Sequence, residues 1–282
     1  MAFQLTSANL KRLCRELNLY SSVPELNEIL YLHFKGITKL ENLEEYTGLR
    51  TLYLECNAID QIDGLSCLAE LRCLYLGQNV LTRIEGLDSL TNLETLDLSE
   101  NEIRRVENLS CLPKLRTLNL NSNKLQSRVD VQELADCPSL TSLDVAKNRI
   151  DDVSVVSLFQ SMDNLSLLRL QGNPVVTSVK HYRKTMLANM PKLKYFDDMP
   201  AFEKDRRIAV AFIAGGIEAE REERDAIRAK EAATRERHRK AFDSMVAAAR
   251  ERAEAEPPPP PRDPMRFRAV PPGESDGEDG GE

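Results

Sequence analysis

A leucine motif recurs along this chain at a nearly constant spacing, and it constrains the fold more than any other feature. The copies follow the pattern L-x-x-L-x-L-x-x-N-x-L with conservative exchanges, and they begin at Asn27, Leu49, Leu71, Leu93, Leu115, Leu140 and Leu165. The first five copies start 22 residues apart, and the last two follow at 25 residues. The first copy is imperfect, because Lys35 stands where the others have asparagine.

The alternation inside each copy gives the repeat a physical role. In the x-L-x-L-x core, successive side chains point to opposite sides of a short strand, so the leucines face inward and the intervening residues face outward. One copy cannot bury its leucines alone, whereas a stack of seven copies encloses a continuous core. This leucine-rich-repeat signature predicts an α/β solenoid with a parallel sheet on its concave face.

An asparagine follows each later strand, where the chain is expected to turn away from the sheet. These asparagines are Asn57, Asn79, Asn101, Asn123, Asn148 and Asn173. A buried amide can donate and accept hydrogen bonds, so it can satisfy backbone groups that no strand ladder reaches. We therefore interpret the repeated leucines and asparagines as structural residues.

Helical segments are expected to cap both ends, because an open coil exposes apolar surface and unpaired strand edges. Near the N-terminus, the apolar positions with helical spacing are Leu10, Leu13, Cys14 and Leu17. Thr6 or Ser7 is the expected N-cap of that helix. Near the other end, a helix and a short strand are predicted from Tyr182, Met186, Leu187, Met190, Leu193 and Phe196.

The segment 217–256 is rich in Ala, Glu and Arg, which predicts a charged C-terminal helix. Its short apolar stripe comprises Phe242, Met245, Val246 and Ala249. The missing heptad seam favours a solvated helix over one that docks on a partner. Prolines 257–261 are expected to end the helix, and the acidic remainder is expected to be disordered, with Ser275 as a candidate phosphorylation site.

These patterns divide the chain into five segments. They are an N-terminal helical cap (1–26), about seven leucine-rich repeats (27–176), a C-terminal cap with a post-cap segment (177–215), the charged helix (216–256) and a Pro-rich acidic tail (257–282).

The outward residues of the predicted strands form the candidate binding face. Those assigned to protein binding are Tyr31, Tyr53, Tyr75, Glu55, Asp97, Asn119, Asp144 and Arg169. Exposed aromatic side chains on a rigid surface are typical interface anchors. The alternative is an aromatic ladder that only stabilises adjacent strands. Binding is favoured, because a concave face has no internal partner to cover it.

Composition and motifs argue against several other functions. The chain has 45 acidic and 38 basic residues and a net charge of −7, which disfavours a broad nucleic-acid-binding surface. No segment approaches the roughly 18 apolar residues of a membrane span. The motifs of phosphate-binding loops, serine hydrolases and zinc proteases are absent, as is any C-x-x-C pair. We therefore expect no enzyme, no cofactor, no metal site and reduced cysteines.

Three stretches outside the leucine consensus resemble a particular family. They are residues 25–59, 107–120 and 172–207, and they include "LHFKGITKLENLEEY", "ENLSCLPKLRTLNL" and "KLKYFDDMPAFEKDRR". Over roughly residues 5–225, the chain resembles the dynein axonemal assembly factor 1 family. The 22-residue repeat itself resembles the subclass named after a regulatory subunit of protein phosphatase 1.

The first resemblance implies a non-enzymatic scaffold for cytoplasmic preassembly of axonemal dynein arms, associated with cilia and flagella. Its implied partners are dynein chains, chaperones and other assembly factors, with no nucleic acid or membrane, and we expect a monomer. Two alternatives remain: a regulatory subunit of a phosphatase, suggested by the repeat subclass, and a structural component of the axoneme.

Overall fold

The computed structural model describes residues 4–255. By its internal contacts the chain divides into two units, residues 1–227 and 228–282. The first unit holds the repeats and both caps, and the second holds the later part of the long C-terminal helix. No helix in the described range is both long and apolar enough to cross a bilayer.

One sheet runs through the first unit, with its strands in chain order. The strands are β1 (Ile29–Tyr31), β2 (Thr51–Tyr53), β3 (Cys73–Tyr75), β4 (Thr95–Asp97), β5 (Thr117–Asn119), β6 (Ser142–Asp144), β7 (Leu167–Arg169), β8 (Tyr195–Phe196) and β9 (Met199–Pro200). Strands β1 to β8 pair in parallel. The last strand, β9, pairs antiparallel with β8 and was not predicted from the sequence.

Each repeat contributes its leucines to a single apolar core. Leu52, Leu54, Leu74 and Leu76 have no accessible surface, and the same holds for their counterparts in neighbouring coils. The residues between them, such as Tyr53, lie on the solvent side of the sheet. This alternation and the parallel sheet confirm the predicted α/β leucine-rich-repeat solenoid.

The turn asparagines connect neighbouring coils, as predicted. The Asn101 side-chain amide donates to the carbonyls of Leu76 and Leu98, both at 3.0 Å, and its oxygen accepts from the Leu81 amide at 3.0 Å. Asn79, Asn123 and Asn148 repeat the same arrangement. Each asparagine therefore satisfies backbone groups of its own coil and of the preceding coil.

The helices occupy the caps and the two longer repeats. They are α1 (Ser7–Glu16), α2 (Arg128–Val131), α3 (Val155–Gln160), α4 (Val175–Ser178), α5 (Tyr182–Asn189) and α6 (Glu203–Ala255). Helices α2 and α3 fall in the copies that begin at Leu115 and Leu140. Each of these copies is 25 residues long instead of 22, and the longer copies are the ones that contain a helical turn.

The N-terminal cap differs from the expectation in one residue. Thr6 is the N-cap of α1, and its hydroxyl accepts from the Asn9 amide at 3.2 Å. Leu10, Leu13 and Cys14 are buried, but Leu17, which was expected on the same apolar face, is 39% exposed. The helix ends at Glu16, so Leu17 does not continue its apolar face.

Helix α6 begins at Glu203, inside the predicted post-cap segment, and it is interrupted at Gly215 and Gly216. Gly216 has φ 70° and ψ −150°, a conformation that is open essentially to glycine alone. Farther along, the predicted stripe residues Phe242 and Met245 are exposed. The expectations for prolines 257–261, the acidic tail and Ser275 lie outside the described residues.

Candidate functional site: the outer face of the repeat sheet

Parallel pairing places seven outward residues in one column, which we call the sheet face. The column runs Tyr31, Tyr53, Tyr75, Asp97, Asn119, Asp144 and Arg169, each paired in register with the next. Every predicted residue of this column therefore lies where the repeat alignment put it. The eighth predicted residue, Glu55, lies two positions beyond Tyr53, so the strand geometry directs it to the same side.

The three tyrosines stack on one another along the sheet. The ring centroids of Tyr31 and Tyr53 are 5.1 Å apart with an interplanar angle of 9°, and those of Tyr53 and Tyr75 are 4.8 Å apart at 4°. Burial raises the pKa of the Tyr53 and Tyr75 hydroxyls, so both remain neutral at physiological pH. The rings thus form a ladder whose outer edges still face solvent.

A shallow groove of about 600 Å³ lies over this ladder. We call it the tyrosine groove, and its lining includes Tyr31, Phe34, Tyr53, Glu55, Gly77 and Asp97. Phe34 is 74% exposed at the rim, and its ring meets the His33 ring edge to face at 5.6 Å. The groove therefore combines exposed aromatic surface with carboxylates.

Beyond the tyrosines, the polar residues of the sheet face bind one another. One Asp97 carboxylate oxygen accepts from the Ser99 amide at 2.8 Å and from the Ser99 hydroxyl at 2.6 Å. The other oxygen accepts from the Asn119 amide nitrogen at 2.9 Å. Asp144 is only 9% exposed and accepts from Arg169 at 3.1 Å. These side chains stabilise the column through hydrogen bonds within it.

The single cation of the column is also paired. The Arg169 guanidinium contacts Asp144 on one side and Asp198 at 2.6 Å on the other. These bonds, the one to Asp144 foremost, raise the pKa of Arg169 above its ordinary value. Asp198 lies in the turn between β8 and β9, a segment without a repeat pattern, so sequence reasoning missed it.

Glu55 differs from the other acids of this face. Burial raises the pKa of its carboxyl group, and its Oε2 is buried with no hydrogen-bond partner among the described residues. His33 lowers that pKa, while Asp97 raises it further. Glu55 thus presents an incompletely satisfied carboxylate to the groove.

Another column of groove residues, one position before the turn asparagines, was not predicted from the sequence. The residue directly before each turn asparagine, or before Lys35, has a positive φ, as in Phe34, Cys56, Gln78 and Glu100. The Cys56 thiol donates to the Gln78 side-chain oxygen at 2.5 Å, and the Gln78 nitrogen donates to Glu100 at 3.0 Å. All four residues line the groove. Aligning the position before the asparagine would have revealed this column.

The six cysteines, all in the described part of the chain, are free thiols. Within residues 4–255, no group of three or more His, Cys, Asp or Glu side chains is placed to hold a metal ion.

Several known proteins are similar to this chain. A leucine-rich-repeat family model matches residues 87–222. Dynein axonemal assembly factor 1 of Homo sapiens is 57% identical over 253 residues, which are 90% of this chain and 34% of that protein. Its homolog in Drosophila erecta is 46% identical over 264 residues, which are 93% of this chain and 17% of that protein.

Among solved structures, an internalin of Listeria monocytogenes is similar to this chain with a TM-score of 0.52 and 27% sequence identity. The similarity covers 67% of this chain and 53% of the internalin. The chain spans about a third of the human relative's length, so the relatives contain much sequence without a counterpart here.

Proposed function

This chain belongs to the dynein axonemal assembly factor 1 family of leucine-rich-repeat proteins, and from that premise we propose that it is a scaffold for assembling axonemal dynein arms. It acts before the arms are installed, in the cytoplasm of cells that build motile cilia or flagella. It binds proteins and catalyses no reaction. Its partners are axonemal dynein chains, chaperones and other assembly factors.

The observation that carries this proposal is the similarity to relatives named for dynein assembly, which extends over nine-tenths of the chain. A match of 253 residues must include most of the repeats. This supports the proposal that the shared function uses the sheet face. Aromatic rings that remain open to solvent on a rigid sheet favour protein binding there.

The experiment compares the chain with its Tyr53→Ala, Tyr75→Ala double variant in ciliated cells. We expect the double variant to recover much less dynein chain and chaperone from the cytoplasmic fraction, because it loses Tyr53 from the groove and Tyr75, which stacks against Tyr53 in the ladder. A Tyr20→Ala variant is the control, since Tyr20 is 58% exposed and lies outside the groove. Unchanged recovery by the double variant would contradict the proposed binding face.

Thermal unfolding of the same proteins separates binding from an aromatic ladder that is only structural. We expect the double variant to unfold within a few degrees of the parent chain, since the rings retain a solvent-facing edge. A large loss of stability together with the loss of partners would indicate that the rings only stabilise the adjacent strands.

Deletion of the gene tests the assembly role independently of the binding face. We expect cells without the protein to build axonemes that lack dynein arms. Normal arms would refute the role. Altered activity of a bound phosphatase would support the regulatory alternative, and co-extraction with dynein from finished axonemes would support the structural one.

A further inference from the structure

The tyrosine groove is acidic, and this charge constrains what it can bind. Among the residues that the structure describes, three carboxylates line it, those of Glu55, Asp97 and Glu100, whereas no lysine or arginine does. His33 is the one basic side chain among these described lining residues. The nearest cation in the column, Arg169, is already paired with Asp144 and Asp198.

The three carboxylates are not equally available to a partner. The Asp97 carboxylate accepts hydrogen bonds from Ser99 and Asn119, and the Glu100 carboxylate accepts one from the Gln78 side chain. Glu55 alone among the three has a buried oxygen without a hydrogen-bond partner in the described part of the chain. A buried polar atom of this kind is costly unless a partner supplies the missing donor.

The space beside Glu55 is left open by a glycine. Gly77 occupies the equivalent position on the next coil, and its φ does not require glycine. A Cβ there would lie 3.0 Å from the Ser99 hydroxyl oxygen and 3.4 Å from the nearer Asp97 carboxylate oxygen. Any side chain at this position would therefore occupy the floor of the groove next to Glu55.

We propose that the tyrosine groove receives an arginine side chain of a partner protein, with Glu55 as its ion-pair acceptor. This inference rests on the proposed function, and it adds the chemistry of the partner. The aliphatic stem of the arginine lies along the ring edges of Tyr31 and Tyr53, and its head reaches Glu55 through the space above Gly77. The guanidinium offers several donors in one plane, which suits an acceptor beside a second carboxylate, Asp97.

The test uses two short acetylated and amidated peptides on the full chain. One contains arginine in an alanine and leucine background, and the other has citrulline, the neutral isostere, at the same positions. We expect the arginine peptide to bind about fivefold more tightly, as for a partly exposed ion pair. Chemical shifts of labelled tyrosines locate the binding in the groove.

Two variants identify the acceptor. Glu55→Gln keeps the size of the side chain but removes its charge, so the preference for arginine over citrulline should disappear. Glu70→Gln removes one exposed acid outside the groove and should leave the preference intact. Persistence of the preference in Glu55→Gln would overturn the proposal.

Other occupants of the groove give different results. Equal binding of the citrulline peptide would indicate a neutral apolar partner, and a doubling of mass without peptide would indicate a second copy; either result overturns the proposal. If the tyrosine variants lose dynein chains while Glu55→Gln keeps its arginine preference, only this inference fails. If Glu55→Gln behaves as expected but the tyrosine variants keep their dynein chains, the proposed binding face for dynein chains fails, while the arginine site stands.

Discussion

At the scale of single residues, the chain contains two kinds of buried polar group. The turn asparagines are fully used, since each amide bonds backbone groups on two coils. Glu55 is incompletely used, because one of its carboxylate oxygens is buried without a donor from residues 4–255. The turn asparagines stabilise the fold. Glu55 favours a role in binding, because the desolvation cost of its unpaired oxygen is not offset by a hydrogen bond in the free chain.

Replacing Asn101 tests whether the turn asparagines stabilise the fold. We expect Asn101→Ala to lower the free energy of unfolding by about 3 kcal/mol, because it leaves buried backbone groups of two coils without partners. Chemical denaturation measures the change. Asn164→Ala is the matched control, since Asn164 is exposed and donates only to the Pro138 carbonyl at 2.8 Å. Equal effects of the two substitutions would contradict the assigned role of the turn asparagines.

Replacing Glu55 should have the opposite effect on stability. Burial raises its pKa above the ordinary 4.5, so the folded state holds this proton more tightly than the unfolded state. The resulting stabilisation is present below pH 4.5 and is lost as the pH rises through the raised pKa. We therefore expect Glu55→Gln to be at least as stable as the parent chain at pH 7, and the difference to shrink on acidification.

Denaturation of both proteins between pH 4 and pH 7 checks this expectation. A Glu55→Gln variant that is clearly less stable at neutral pH would show that Glu55 supports the fold, and would remove one reason for assigning it to a partner.

At the scale of elements, the C-terminal cap is held by an arginine from the following helix. The Arg206 guanidinium donates to the carbonyls of Leu187, Met190 and Leu193, at distances from 2.5 to 3.1 Å. Carbonyls at the C-terminal end of a helix lack partners within it, and Leu187 lies in the last turn of α5. Helix α6 therefore anchors the cap that covers the last coil.

Arg206→Ala should release this cap while leaving the central coils in place. We expect a loss of about 3 kcal/mol, as for several charge-assisted hydrogen bonds, and faster hydrogen exchange in α5 than in β3 to β5. Mass spectrometry of exchanged fragments measures both. Arg221→Ala, which changes an exposed arginine of α6, should have no such effect. Unchanged exchange in α5 of Arg206→Ala would contradict the anchoring role.

At the scale of the whole molecule, the sequence predicts the strand register of the periodic repeats, but it misses contacts in the non-repetitive C-terminal cap. The register of Tyr31, Tyr53 and Tyr75 follows from the repeat length, because a fixed period places equivalent residues side by side. Strand β9 and the contact of Arg169 with Asp198 lie in the non-repetitive cap, where no period gives an alignment. The exposure of Leu17 depends on where α1 ends, which apolar spacing does not determine.

The proposed binding role of the sheet face depends on features that periodicity cannot predict. The sequence placed Asp97, Asn119 and Asp144 there, but it could not show that they bind one another, since this depends on side-chain rotamers. It likewise could not distinguish Glu55, whose burial depends on its neighbours across the groove. The proposed dynein-assembly role came from resemblance in the irregular stretches, because all leucine-rich repeats share the leucines.

The binding face is tested most directly by a structure of this chain bound to a dynein chain or chaperone, the partners that we propose for it. We expect partner atoms to fill the tyrosine groove and to contact Tyr53, Tyr75 and Glu55. A complex in which the groove holds only water, with every partner contact on the opposite side of the coils or on helix α6, would contradict this expectation.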